Sequence, residues 1–319
     1  MHPTIIFRRL LLGLVSTVKD LVTNATLYLL DFFLTLYNLV APNKPKGHVI
    51  PEGHPGFGGK WPEYTPPRNG DSRCSCPALN AMANHGLIAR DGKNIKFTDL
   101  YTAIGRVYNF SPAFCYVLAS NAAGLLVRNY STDRLDLSDL DAHNCIEHDA
   151  SLFRECVRVS VIWVVGDLAA TGVDSYDDPD QGKICEPLVE ELLSSGTGPD
   201  GNLTSNDVSR LLGKRRVEAK RQNPKFSLAS FHKMFGSFNG STLIVVFGGL
   251  VKDLRAFLTE ERLPDGWEPR TRRRMGLTML EFNCTVFPME LSIKEEVDGS
   301  MTGVGQERYA GASDTKKID

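Results

Sequence analysis

Hydrophobic positions recur with a helical period along most of the 319-residue chain. Apolar residues at 97, 100, 101, 104, 107 and 108 share one face of a predicted helix over 98–109. Ser111-Pro112 is a cap and first-turn pair that opens a second helix to about residue 128. Further helices are predicted within 131–144 and over 150–170, 188–193, 226–250 and 252–262. Strand patterning is confined to short runs such as 161–165, so the fold class is mainly α, with a single compact helical domain.

The N-terminal segment, residues 1–42, is predicted to associate with a membrane. Its residues 5–40 are mostly apolar, but they are too long for a signal-peptide core and too charged for a simple span. Polar side chains recur at helical spacing and leave a broad apolar face: Asp20, Asn24, Asp31, Thr35 and Asn38. The alternative is a helix that packs its apolar face on the protein's own core.

The remaining organisation follows from composition. A Pro- and Gly-rich stretch, 41–71, is expected to be irregular. The main domain is predicted to cover 43–290 and so includes most of this stretch. The polar tail 291–319 is expected to be disordered.

Bulk charge and cysteine usage exclude two classes of protein. The net charge of −2 gives no electrostatic argument for binding nucleic acid, and the basic clusters 214–216 and 270–274 are expected to be solvated surface. Seven cysteines, an odd number over a long chain, form no compact disulfide framework. Six Asn-X-Ser/Thr triplets favour passage through the secretory pathway: Asn24, Asn109, Asn129, Asn202, Asn239 and Asn283.

The stretch 72–86, SRCSCPALNAMANHG, places a cysteine at the start of a helix. Cys76 falls at the N-cap, Pro77 at the first helical position and Gly86 just past the end. The sulfur there faces unpaired N–H groups and the positive end of the helix dipole, which favours the thiolate. The alternatives are a buried, inert thiol and a zinc site with Cys74 and His85, although the latter lacks the usual ligand spacing.

A second cluster, Glu147–Ser151 (EHDAS), could bind a hard cation. Glu147 and Ser151 lie four residues apart and would share one side of a helical turn. Their oxygens suit Mg²⁺, Mn²⁺ or Ca²⁺ rather than zinc. The alternative is a capped helix start with a solvated face.

Three segments together resemble the fungal heme-thiolate peroxidases, the family of chloroperoxidase and unspecific peroxygenase. The stretch around Cys76-Pro77 carries Leu-Asn, then Ala-Asn-His-Gly and a basic residue before Gly, as in that family. IEHDASLFRE (146–155) resembles its second motif in the shorter members, and FLTEERLPDGW (257–267) resembles a third. The three occur in the family's order and cover roughly 57–290.

The resemblance implies a heme b with Cys76 as the axial thiolate, tuned by the backbone N–H groups of Ala78 and Leu79. The electron donation of a thiolate favours O–O cleavage of a bound peroxide. The resemblance also implies a divalent cation, Mg²⁺ or Mn²⁺, bound by Glu147, Ser151 and the carbonyl of His148. It places His148 in the distal hydrogen-bond network, oriented by Asp149.

This sequence departs from the family at three positions. Ser75 and Ala89 each replace a proline. At the position of the distal glutamate, the family's acid–base group, stands Asn239, and no Asp or Glu occurs between 218 and 253. Because a neutral amide accepts no proton, His148 or His232 is the candidate replacement; His232 lies two helical turns before Asn239.

The sequence therefore predicts a membrane-associated heme-thiolate enzyme of the endomembrane or secretory pathway, or else a secreted one. It would use hydrogen peroxide to oxidise or oxygenate an apolar organic substrate of secondary-metabolite type. Two alternatives stay open because of Asn239: a heme enzyme with a non-peroxide reaction, and a non-enzymatic heme-binding partner in a biosynthetic complex.

Overall fold

The computed structural model describes residues 3–141, 150–154, 183–222, 228 and 230–295. In this part of the chain the structure is almost entirely helical, which confirms the mainly α fold class. Its helices are α1 Pro3–Val40, α2 Pro77–Asn84, α3 Phe97–Tyr108, α4 Pro112–Leu125, α5 Glu186–Ser194, α6 Ser205–Gln222, α7 Ser230–Val245, α8 Val251–Thr259 and α9 Met279–Ser292. Short 3₁₀ turns cover Phe57–Gly59, Leu137–Asp141 and Pro199–Gly201, and β1 Ile95–Lys96 pairs antiparallel with β2 Arg134–Leu135.

Helices α2 to α5, α7 and α8 confirm the elements that periodicity predicts, with ends shifted by a few residues. Ser111 caps α4 as expected, because its Oγ accepts the N–H of Phe114 at 3.2 Å. The predicted helix over 150–170 is wrong at its start. Residues 150–154 form a turn whose Arg154 makes an isolated bridge to Ile184. The rest of that helix, the strand at 161–165 and the tail from 296 lie outside the described residues.

Aromatic side chains fill the core between α3, α4, α7 and α9. Phe110 stacks on Phe114 with ring centroids 4.8 Å apart, and Phe282 packs against Phe238 at 4.6 Å. Beside α8, Phe247 stacks on Trp267 at 4.9 Å. Burying aromatic rings of this size contributes a large share of the free energy of folding.

The basic cluster 214–216 is buried and ion-paired, so its assignment to solvated surface is wrong. Lys214 pairs with Glu191 across to α5, and Arg216 pairs with Glu290 of α9 at 2.7 Å. Each of the three basic side chains is less than a tenth exposed. A charge reaches the interior of a protein at tolerable cost when it is paired and hydrogen-bonded in this way.

Helix α1 packs on the domain through its polar side. Asp31, Thr35 and Asn38 are buried, whereas the apolar side chains around them are exposed. The expectation that packing on the protein would use the apolar face is therefore wrong. None of the helices in the described residues combines the length and the apolar character that a bilayer crossing requires.

Candidate active site

Helix α2 begins immediately after Cys76, as the sequence predicts. Cys76 has extended backbone angles at the N-cap (φ −88°, ψ 107°), and Pro77 occupies the first helical position. The helix ends at Asn84, and Gly86 takes φ +68°, a left-handed conformation that glycine adopts without strain. The backbone N–H groups of Leu79 and Ala78 hydrogen-bond to the Cys76 sulfur, as the family resemblance implies.

The charge state of Cys76 differs from the sequence expectation. Burial raises the pKa of the Cys76 thiol above its ordinary value. The two N–H groups and the charge of Arg154 act in the opposite direction, but they offset burial only in part. The helix start alone therefore leaves the sulfur as a thiol, and binding a metal ion is what would ionise it, because a coordinating thiol loses its proton.

Cys74, two residues away, has a different environment. It is buried, and burial raises the pKa of its thiol well above the ordinary value, with the nearby Cys76 and Asp141 adding to the effect. Its backbone is clamped by Asn80, whose Oδ1 accepts the Cys74 N–H at 3.0 Å and whose Nδ2 donates to the Cys74 carbonyl at 2.6 Å. Cys74 is thus an inert structural thiol, whereas Cys76 as a residue is partly exposed.

Asp141 fixes the loop at the position where the family has a proline. The N–H of Ser75, which a proline would lack, donates to Asp141 Oδ1 at 2.6 Å. The replacement at 75 therefore adds a tether to the loop that carries Cys76.

Glu261 joins the three motifs of the sequence in one buried network. Its Oε1 accepts from Asn80 Nδ2 of the first motif at 2.7 Å and from Arg154 of the second at 2.6 Å. Its carbonyl also accepts from Asn84 Nδ2 at 3.1 Å. Residues more than a hundred positions apart in the chain thus hold the loop and first turns around Cys76.

His85 is a structural residue. Its Nδ1 lies 2.6 Å from the Pro62 carbonyl, and its Nε2 lies 3.1 Å from the Leu263 N–H, which fixes a neutral ring with the proton on Nδ1. Burial lowers the pKa of His85. Since both ring nitrogens are occupied, His85 ligates no zinc, and the described residues contain no cluster of three metal-ligating side chains.

The predicted cation site is only partly within the described residues. Glu147, His148 and Asp149 lie outside them. Ser151 is described: its Oγ accepts the Arg154 N–H at 3.2 Å, and its carbonyl accepts from Arg215 Nε at 2.9 Å. Ser151 therefore contacts the backbone of Arg154 and the side chain of Arg215. Its role as a cation ligand stays a prediction.

Comparison with known proteins places the chain in a family. The model of "Peroxidase, family 2" matches residues 62–272, which is more than half of the chain and includes all three motifs. The chain belongs to this family. The resemblance to the fungal heme-thiolate peroxidases is thereby confirmed, and the chain is an enzyme of the peroxidase or peroxygenase type.

Three curated relatives are similar to this member of peroxidase family 2 at low identity. An aromatic peroxygenase of Coprinellus radians is 23% identical over 244 residues, which cover 67% of this chain and 85% of the relative. An aromatic peroxygenase of Cyclocybe aegerita is 26% identical over 269 residues, covering 76% of this chain and 64% of the relative. A chloroperoxidase of Leptoxyphium fumago is 33% identical over 104 residues, covering 31% and 27%.

The heme-thiolate cofactor of this family fits the residues around Cys76. The Cys76 sulfur receives two backbone N–H hydrogen bonds, and the described residues contain no group of three metal-ligating side chains that would make a zinc site. Amide hydrogen bonds to a ligating sulfur tune how strongly it donates electron density. Sequence reasoning identified this sulfur and both amides, but it missed Asn80, Arg154 and Glu261 as the residues that position them.

The structure describes Asn239, the residue that the sequence assigns to the distal position. Asn239 lies on α7 with an exposed side chain, opposite the buried Ser237 and Ser241. The side chain of His232 is outside the described part of α7. The distal roles of Asn239, His232 and His148 stay predictions.

Proposed function

We propose that the protein is a membrane-associated heme-thiolate enzyme that uses hydrogen peroxide to oxidise or oxygenate a small, apolar organic substrate. The observation that supports this most directly is the network of Asn80, Arg154 and Glu261. It holds the loop and helix start around Cys76, whose sulfur accepts hydrogen bonds from two backbone amides. The names of the relatives, aromatic peroxygenase and chloroperoxidase, support the same chemistry.

In this proposal Cys76 ligates a heme b, which when bound supplies the capacity to cleave the O–O bond of a peroxide. The Ala78 and Leu79 amides moderate the electron donation of the sulfur. Arg154 adds a positive charge near it, and the buried Glu261 balances that charge. The chain thus provides a fixed, negatively charged ligand once its proton has left.

A divalent cation, Mg²⁺ or Mn²⁺, belongs to the proposal through Glu147, the His148 carbonyl and Ser151. Oxygen ligands of this kind suit a hard cation. Metal analysis of the purified holoprotein tests it: about one equivalent of Mg²⁺ or Mn²⁺ per heme is expected, and heme with neither metal would contradict it.

A second candidate is a heme enzyme with a non-peroxide reaction, and Asn239 is the observation that favours it. A general base contributes typically 10²–10⁴-fold in rate, and α7 carries no carboxylate over 230–245. A chain without that base is suited to a rearrangement or dehydration that needs no proton removal from peroxide.

Turnover with ¹⁸O-labelled hydrogen peroxide and a small aromatic substrate separates the two candidates. Peroxygenation transfers labelled oxygen into the product, whereas one-electron oxidation consumes peroxide and gives coupled products without label. Heme-loaded protein that consumes no peroxide above the rate of free heme would overturn the proposal in favour of the second candidate.

We also propose that the enzyme resides in the secretory pathway, attached to a membrane through residues 1–42. In two of the six glycosylation triplets the asparagine side chain makes contacts within the folded protein. Asn109 is buried, and both the nitrogen and the oxygen of the Asn202 amide are hydrogen-bonded. Asn24 and Asn129 are exposed, and they are the proposed positions of N-glycans.

A further inference from the structure

The outward side of α1 carries a continuous row of exposed apolar side chains. They recur at intervals of three, four and seven residues, so that they follow one side of the helix. The row consists of Val18, Val22, Leu29, Phe33, Leu36 and Val40, each at least 43% exposed. At 1.5 Å per residue, the row is about 33 Å long.

The opposite side of α1 is bound to the rest of the protein over residues 31–38. The buried Asp31 carboxylate accepts the N–H groups of Met279 and Leu280 at the start of α9, both at 2.9 Å. Thr35 and Thr278 share a hydrogen bond at 2.7 Å. Asn38 donates to the Gly276 carbonyl at 2.9 Å and accepts the N–H of Met275.

These contacts, which we call the polar latch (Asp31, Thr35 and Asn38), set the rotation of α1 about its own axis. A helix held by buried polar groups cannot turn its apolar row inward without leaving those groups unpaired. The exposure of the row is therefore imposed by the latch.

A neighbouring helix carries a second row of exposed apolar side chains. Helix α9, which packs against α1, exposes Leu280, Cys284, Phe287 and Leu291 at helical spacing. Phe287 is 53% and Leu291 85% exposed. Two helices in contact thus each present an exposed apolar row, and exposed apolar surface of this extent marks an interaction site.

We infer that the apolar row of α1 lies on an anionic lipid bilayer, with α1 in the plane of the interface. The inference names the membrane contact for the attachment proposed above, and it does not depend on the heme chemistry. A bilayer interface accommodates a helix of any length along its plane, and cationic flanks strengthen the attraction. The segment carries Arg8, Arg9 and Lys19, against Asp20 outside the latch.

The breadth of the exposed arc favours lipid over a second copy of the chain. Besides the row, Leu21, Tyr28 and Leu30 project to other sides of α1, and each is at least 44% exposed. A helix in a dimer covers one stripe of its partner, whereas the boundary between headgroups and acyl chains takes up a wide apolar arc.

Flotation of the full-length chain with vesicles of phosphatidylcholine, with and without phosphatidylserine, tests the inference. Leu29→Glu and Phe33→Glu place a charge in the row, and Asn24→Glu places the same charge at an exposed polar position of α1. We expect wild type and Asn24→Glu to float with anionic vesicles. Each row variant should bind at least about tenfold more weakly, because it removes a large apolar side chain from the interface and places a charge there.

For each sample, sedimentation in the absence of lipid measures the oligomeric state, and heme absorbance measures cofactor loading. Two results would overturn the inference. The first is a wild-type chain that binds no vesicles and forms a dimer that the row variants abolish. The second is equal flotation of the row variants and the control variant. Vesicle binding without peroxide turnover would leave the membrane contact standing and remove the catalytic proposal. Peroxide turnover of a water-soluble donor without vesicle binding would leave the catalytic proposal standing and remove the membrane contact.

Discussion

At the scale of single residues, Glu261 connects the chemistry of the site to the fold. Its backbone adopts φ +51°, a left-handed conformation that costs free energy for a residue with a Cβ. The contacts to Asn80, Asn84 and Arg154 hold it there. A carboxylate in this position balances the buried charge of Arg154 and at the same time clamps the turn that carries Cys76.

Replacing Glu261 should therefore loosen the site. In Glu261→Gln the neutral amide leaves the Arg154 charge without its carboxylate, and breaking a buried pair costs roughly 3 kcal/mol. Urea unfolding should show this loss together with weaker heme retention. Glu260→Gln, at a half-exposed neighbour that pairs with Arg262, should cost less than about 1 kcal/mol. Equal effects of the two variants would contradict the role of Glu261.

The neutral His85 predicts a pH dependence of stability. Burial lowers the pKa of His85 in the folded state, so below an unfolded pKa of about 6.5 the unfolded chain binds more protons. The contribution of His85 is present above that pH and is lost as the pH falls toward the folded pKa. The difference in free energy of unfolding between wild type and His85→Gln should shrink from pH 7.5 to pH 5. A constant difference would show that His85 does not titrate in this way.

Restoring an acid at position 239 tests the distal assignment. If Asn239 occupies the position of the family's acid–base group, Asn239→Glu should raise peroxide turnover at least about tenfold, since a general base is typically worth 10²–10⁴-fold. Asn239→Gln keeps the length of the new side chain without its charge and should change turnover little. Full heme loading with no gain in Asn239→Glu would place the acid–base group elsewhere.

At the scale of helices, what the sequence could predict depends on how each helix is buried. Helices α3 and α4 pack apolar faces into the core, so their periodicity and caps predicted them. Helix α6 was missed because buried, paired charges such as Lys214 and Arg216 occupy positions that a pattern assigns to solvent. The expected orientation of a packed α1 was wrong for a related reason. The polar latch buries polar side chains and leaves apolar ones exposed, which reverses the usual relation between polarity and exposure.

The latch predicts the effect of Asp31→Asn. The buried carboxylate stabilises the positive end of α9, and its loss should cost about 1–2 kcal/mol in free energy of unfolding. Limited proteolysis should then cut near the α1 junction sooner. Asp265→Asn removes an equal charge from a side chain that is 96% exposed and should leave both measurements nearly unchanged. Unaltered proteolysis and stability of Asp31→Asn would show that apolar contacts alone hold α1.

At the scale of the whole molecule, three segments that are distant in sequence together position Cys76 and set the environment of its sulfur. The local sequence predicted a helix start with the sulfur at its N-terminus, and this is what the structure has. It could not predict the raised pKa of the Cys76 thiol, because burial comes from tertiary packing. Nor could spacing show that Asn80, Arg154 and Glu261 meet, since their contact depends on the complete fold.

The central claim is that the Cys76 sulfur, and no other, ligates the iron of a bound heme. The CO-difference spectrum of the reduced holoprotein tests it most directly, with Cys76→Ser compared with Cys74→Ser. Wild type and Cys74→Ser should show the red-shifted Soret band of a thiolate-ligated heme, and Cys76→Ser should lack it. A thiolate spectrum that survives in Cys76→Ser, or disappears in Cys74→Ser alone, would contradict the assignment.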